Sequence, residues 1–195
     1  MKTQIFLVTT LVIIAACNDG SKDSVQKADS ANHAKIDSNS VSNGKAAIAV
    51  NKNDADFLVK AIEGGMMEID LGNIAKMKSQ NKRVQNFGKM MVADHGDADA
   101  KIKDLAQVRT VTLPTMTGDD KSKMIRDMNE KKAKDFDKDY IDAMVKDHKE
   151  DIKEFESASD KVQDTEIRAF ILNTLPVLRK HLDSCEAIQQ SLSKK

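Results

Sequence analysis

MVADH occupies residues 91–95 and MVKDH residues 144–148, so a chain with four histidines writes almost the same pentapeptide twice. Superposing the two also sets Phe87 over Tyr140 and Ile102 over Phe155, as if one structural element were used twice. His95 lies four residues after Met91 and three before Ala98, and His148 lies four after Met144 and four before Ile152. At helical periodicity both rings fall on an apolar stripe. His181, three after Leu178 and four before Cys185, does the same, and Glu68 stands between Gly65 and Gly72 on a stripe of small residues. Three imidazoles and a carboxylate cannot be buried cheaply without partners, so they must bond one another, water or a metal ion. Neutral imidazole and ionised carboxylate are donors suited to Zn(II), Fe(II), Cu or Mn(II). The competing reading is a hydrogen-bonded polar layer that fixes helix register without metal. A pair of inward histidines is also a set of axial ligands for haem.

The neighbours of these residues limit the chemistry. A di-iron centre in a helical bundle needs Glu three residues before His on two helices, whereas Val92, Val145 and Leu178 hold those places. Ferroxidase chemistry is disfavoured, and a single ion is the most the set can hold. Asp94 and Asp147 each precede a histidine by one residue and turn about 100° away from it, which makes them supports for a ligand, or surface residues, rather than ligands. Met66, Met67, Met90, Met91 and Met144 lie within about a turn of the same level; thioethers suit copper, but Met also fills gaps in a core with few aromatics. Cys185 reads as a buried structural thiol. The chain has no phosphate-binding Gly-rich loop, no nucleophile elbow and no HExxH pair, so no catalytic residue is assigned.

Four long helices must position these groups, with spans of about Asp54–Ser79, Asn81–Val108, Lys132–Ser159 and Asp164–Leu192. Asn53 or Asp54 is the expected N-cap of the first, and Pro176 should kink the last. The inward stripes are Ala61, Gly65, Gly72 and Ala75; Val84, Phe87, Met91, Ala98, Ile102 and Leu105; Tyr140, Ile141, Met144, Ile152 and Phe155; and Ile171, Leu175, Leu178, Cys185 and Ile188. Short turns join the first helix to the second and the third to the fourth. The middle connection is far longer, and Met124, Ile125 and Met128 suggest a short helix on the surface within it. Such a crossover makes the second and third helices parallel, as in a ferritin-like four-helix bundle. Counting residues from one end places Glu68, His95, His148 and His181 within roughly 9 Å of a common height.

The chain before residue 54 has another character. MKTQIFLVTTLVIIAAC joins Lys2 to an apolar run too short to span a bilayer, which reads as an export signal over residues 1–16. Ile14-Ala15-Ala16-Cys17 resembles the lipobox of bacterial lipoproteins, which implies lipidation of Cys17 and a membrane anchor there; an ordinary signal peptide with an incidental Cys is the alternative. Residues 17–53 are rich in Ser, Asn, Asp, Lys and Ala and read as a flexible tether, with His33 solvated within it. With 31 basic and 31 acidic residues the whole molecule has no net field to attract nucleic acid.

DADFLVKAIEGGMMEIDLGNIA, VQNFGKMMVADH, FDKDYIDAMVKDH and LPVLRKHL resemble the successive signatures of a bacterial envelope family known as domain of unknown function 4142. The resemblance covers about residues 54–190 and implies an exported, ferritin-like bundle with a Glu and three His matched here by Glu68, His95, His148 and His181. The expectation is therefore a lipid-anchored bundle facing the periplasm, with the outer membrane preferred to the inner. It would hold one transition-metal ion, in metal sequestration or envelope stress protection. The alternative is a non-catalytic envelope module with a metal-free polar layer, whose partner is an envelope protein or a second copy of the chain.

Overall fold

Three side chains start the principal helices by covering amide groups that the first turn leaves without partners. Asn51 Oδ1 accepts from the Asp54 amide at 2.9 Å, Asn81 Oδ1 from Arg83 at 3.0 Å, and Asp164 Oδ1 from Glu166 and Ile167 at 2.9 and 3.0 Å. The first cap is thus Asn51 rather than Asn53 or Asp54. A computed structural model describes residues 22–39 and 50–194, and these form six α-helices with no strand among them: α1 Lys22–Asn39, α2 Lys52–Lys78, α3 Lys82–Val108, α4 Asp119–Glu130, α5 Ala133–Lys161 and α6 Thr165–Leu192. The four long helices lie within two residues of the spans expected from periodicity. No helix of the described residues is long and apolar enough to cross a membrane.

Two apolar clusters give the relative directions of the long helices. One joins Leu71 near the end of α2 to Phe87 near the start of α3, Tyr140 near the start of α5 and Ile188 near the end of α6. The other joins Phe57, Ile102, Phe155 and Phe170 from the opposite ends of the same helices. Hence α3 and α5 run one way and α2 and α6 the other, with α2 packed chiefly on α3 and α5 chiefly on α6. Glycine allows the first of these pairs to close: a Cβ on Gly72 would stand 2.7 Å from the Gly88 carbonyl oxygen, and one on Gly88 would stand 2.7 Å from the Gly72 carbonyl oxygen. Pro176 does not divide α6. Pro176 and Leu172 are both exposed, so the Leu172 carbonyl that loses its helical donor faces water.

The connection from α3 to α5 contains α4, which buries Met128 and lays Met124 and Ile125 against the first cluster. Its early part is held by a segment that composition misreads. Residues Lys22–Asn39, expected to be flexible, form α1, and the expectation is corrected there. Asn32 pairs with the Thr112 backbone twice, donating to its carbonyl at 2.9 Å and accepting from its amide at 2.7 Å. Ser24 Oγ accepts from the Thr115 amide at 2.8 Å, and Lys35 Nζ donates to the Thr110 carbonyl at 2.9 Å. His33 is no free tether residue, since its Nε2 lies 2.8 Å from Asp56 Oδ1. Backbone groups of a loop that need partners hold α1 in place, an attraction that an apolar count does not register. The export signal and Cys17 lie outside the described residues.

α3 ends at Arg109 with a Schellman arrangement, in which the Val111 amide donates to the Ala106 carbonyl at 2.9 Å and the Thr110 amide to Gln107 at 3.2 Å. Thr110 itself sits at φ 56°, a left-handed conformation that a β-branched residue adopts only under strain.

Candidate metal centre

Between the two apolar clusters the inward face of each long helix carries one polar residue: Glu68 on α2, His95 on α3, His148 on α5 and His181 on α6. All four are buried, His148 completely. The structure therefore brings together the whole set expected from sequence. One ring nitrogen from each histidine lies within 4.8 Å of the other two. The ring centroids are 6.0 Å apart for His95 and His148, and 5.3 Å for His181 to each of them.

Each ring has one nitrogen engaged and one with no partner. His148 Nδ1 donates to the Met144 carbonyl at 3.0 Å, which fixes the tautomer and leaves Nε2 as a lone pair. His181 Nε2 meets Asp94 Oδ2 at 2.8 Å, and His95 Nδ1 meets Glu68 Oε2 at 2.9 Å. His95 Nε2, His148 Nε2 and His181 Nδ1 are buried without any hydrogen-bond partner, and so is Glu68 Oε1, which stands 3.4 Å from His148 Nε2 without bonding to it. Holding one imidazole nitrogen on a backbone carbonyl or carboxylate and presenting the other is how proteins prepare histidine for a metal ion.

Burial sets the charges. It lowers the pKa of all three histidines, that of His148 to about 3 with the help of His95 and His181, so the rings are neutral donors at pH 7. Burial also raises Glu68 well above the usual carboxylate range, with Asp147 adding to the effect. Asp151 is raised well above that range by burial and by Glu68, and Asp99 is pushed up to about 6 by burial. Carboxyl groups thus crowd around neutral imidazoles with Lys121 of α4 as the cation acting on three of them, Glu68, Asp147 and Asp151. A divalent cation would complement this excess of acid.

The doubled pentapeptide acquires a geometric meaning here. Asp94 turns from α3 toward α6 and holds His181, whereas Asp147 turns from α5 toward α2 and comes within 4.8 Å of ligand atoms of Glu68 and His148. Rotation about the long axis that exchanges α3 with α5 also exchanges α6 with α2, so His181 and Glu68 occupy equivalent places. Asp147, read from sequence as turned aside, is half-buried and close enough to join Glu68 and His148 in holding an ion. Its flank of α5 faces a neighbouring helix rather than water, which residue spacing on one helix does not reveal.

Asp99 and Asp151 were not singled out from sequence, although each lies one turn from a histidine on the same face. Tyr140 was read only as core; its buried hydroxyl has no partner, and burial raises its pKa, with Glu68 and Cys185 adding to it. Cys185 is a free, buried thiol that donates to the Leu182 carbonyl and is pushed up to about 12 by burial, so it belongs to the core and not to either ligand grouping. Met67, Met91 and Met144 pack in the first apolar cluster.

An all-α chain with a three-histidine, one-glutamate cluster at its waist defines the class that the fold and site support. Residues 39–188 match the family described as a domain of unknown function, DUF4142, and the chain belongs to that family. No curated protein and no solved structure matches the chain significantly.

Proposed function

We propose that this protein is a lipid-anchored envelope protein that holds a single transition-metal ion in a ferritin-like four-helix bundle. The observation that carries the reading is the trio of buried, unpartnered ring nitrogens, one per histidine, each opposite a nitrogen that is already anchored. His95, His148 and His181 would be the ligands. Glu68 would orient His95 through Oε2 and offer Oε1 as a fourth donor, and Asp94 would orient His181. Zn(II), Cu or Fe(II) suits imidazole best, and Mn(II) would lean more on the carboxylates. When bound, the ion would supply Lewis-acid or one-electron chemistry, in keeping with metal sequestration or protection against envelope stress. Rings that converge from three helices suit one ion better than the flat face of a haem.

The ferritin-like reading is supported by the long crossover and the parallel α3 and α5; Val92, Val145 and Leu178, where bridging carboxylates would stand, argue for a mononuclear site. The envelope reading rests on the sequence of residues 1–17 and on the family resemblance. Untagged protein should carry or take up about one equivalent of metal per chain by elemental analysis, and His95→Ala and His148→Ala should lose it. Metal-free protein that ignores added Zn(II), Cu and Fe(II) would reject the reading in favour of the second one, a metal-free polar layer, for which the Glu68–His95 and Asp94–His181 bonds speak. Palmitate labelling that persists in Cys17→Ser would reject the anchor.

A further inference from the structure

Beside the histidine cluster lies a chamber of about 250 Å³ that the metal site leaves unused, walled by all four long helices and by Lys121 of α4. Its floor is aromatic: Phe57 meets Phe155 edge to face at 5.1 Å and Phe170 at 6.3 Å. Its other end is acidic, with Glu68, Asp99 and Asp151 in the lining. Asp99 is 5% exposed, and its Oδ1 has no hydrogen-bond partner. Gly65 makes room for that oxygen, since a Cβ there would stand 2.2 Å from it.

The lining is unbalanced in charge. Lys60 pairs with Glu154 at 3.5 Å, and Glu63 accepts from the Gly118 amide at 2.8 Å. That leaves Lys121 against Glu68, Asp99 and Asp151 among the described lining residues. An anion would meet three carboxyl groups. A neutral apolar molecule would leave Asp99 Oδ1 as it is, a buried acceptor without a donor. A small molecule with a cationic N–H head and an apolar body answers both ends, and the volume restricts it to something well below the usual drug-sized ligand.

We infer that the chamber binds a small organic ammonium ion, its N–H donating to Asp99 Oδ1 and its apolar or aromatic body lying against Phe57, Phe155 and Phe170. The site is separate from metal holding and is formed by side chains that need no metal to be in place.

The test uses the full chain, stripped of metal so that the outcome does not depend on the histidine cluster, and three probes of one shape titrated calorimetrically at pH 8: benzylammonium, benzyl alcohol and benzoate. Benzylammonium should bind once per chain, about tenfold or more tighter than benzyl alcohol, as expected for a charge-assisted bond, and benzoate should not bind. Asp99→Asn should weaken benzylammonium about tenfold, and Ala61→Phe, which fills the chamber from α2, should abolish its binding. The second variant reads the proposal even where the first does not fold. Equal binding of the three probes, no binding of benzylammonium, or an affinity unchanged by both variants would overturn it.

Discussion

His148→Leu separates the cost of the histidine cluster from its use. In metal-free protein His148 is completely buried with Nε2 unpartnered, a condition that costs about 1–3 kcal/mol. Leucine removes that nitrogen at similar volume, beside the Phe87 ring and the apolar cluster of Met144 and Met91. It forfeits the Nδ1 bond to the Met144 carbonyl, worth about 1 kcal/mol, and regains a few tenths through helix propensity. The variant should therefore match or exceed the wild type by up to about 2 kcal/mol in the presence of chelator. Zinc reverses the order: at a hundredfold excess over its dissociation constant it adds about 2.7 kcal/mol to any chain that binds it when folded, and the variant should gain almost nothing. Urea unfolding followed by circular dichroism at pH 7.5, with EDTA and then with buffered free zinc, measures both. A variant more than about 1 kcal/mol less stable than wild type in EDTA, or one stabilised by zinc as much as the wild type, would refute the reasoning.

Four further outcomes are expected. Asp94→Ala should weaken zinc about 10–100-fold in a chelator competition, because His181 loses the carboxylate that orients it. In metal-free protein His148 binds its proton near pH 3 when folded and near 6.5 when unfolded, so the unfolded chain holds more protons between those values and stability falls as pH drops through that window, by about 1.4 kcal/mol per pH unit. Asp99, raised to about 6, has the opposite sign, so the slope should be read as the difference between wild-type and His148→Leu urea titrations. Thr110→Gly should stabilise the chain by about 1 kcal/mol in the same assay, since glycine accepts the left-handed φ of 56° without strain. Gly72→Ala should destabilise by about 1–3 kcal/mol, because its methyl would press on the Gly88 carbonyl and force α2 from α3.

The long helices were legible because their periodicity is strong and their ends are marked by Asn81 and Asp164. The four site residues were legible for a related reason: a histidine on an apolar stripe is conspicuous, and counting turns from one end places Glu68, His95, His148 and His181 at one level. What escaped was whatever depends on a neighbouring helix. Asp147 points away from His148 on its own helix, yet α2 stands there with Glu68. Asp99 looks like an ordinary charged residue until Gly65 is seen to open a space opposite it. α1 escaped because Asn32 and Lys35 hold it through backbone groups of residues 110 and 112, some 75–80 positions distant, and composition weighs only apolar burial.

A site made of one residue from each of four helices also measures how those helices are aligned. A slip of one turn in any of them would move its ligand about 5.4 Å along the axis, far outside the reach of metal bonds near 2 Å. Glu68, His95, His148 and His181 converge only when α2, α3, α5 and α6 have all settled in register. Metal affinity in this protein is then a gauge of assembly: a chain folded into the right helices at the wrong height would keep its helical content and lose its ion.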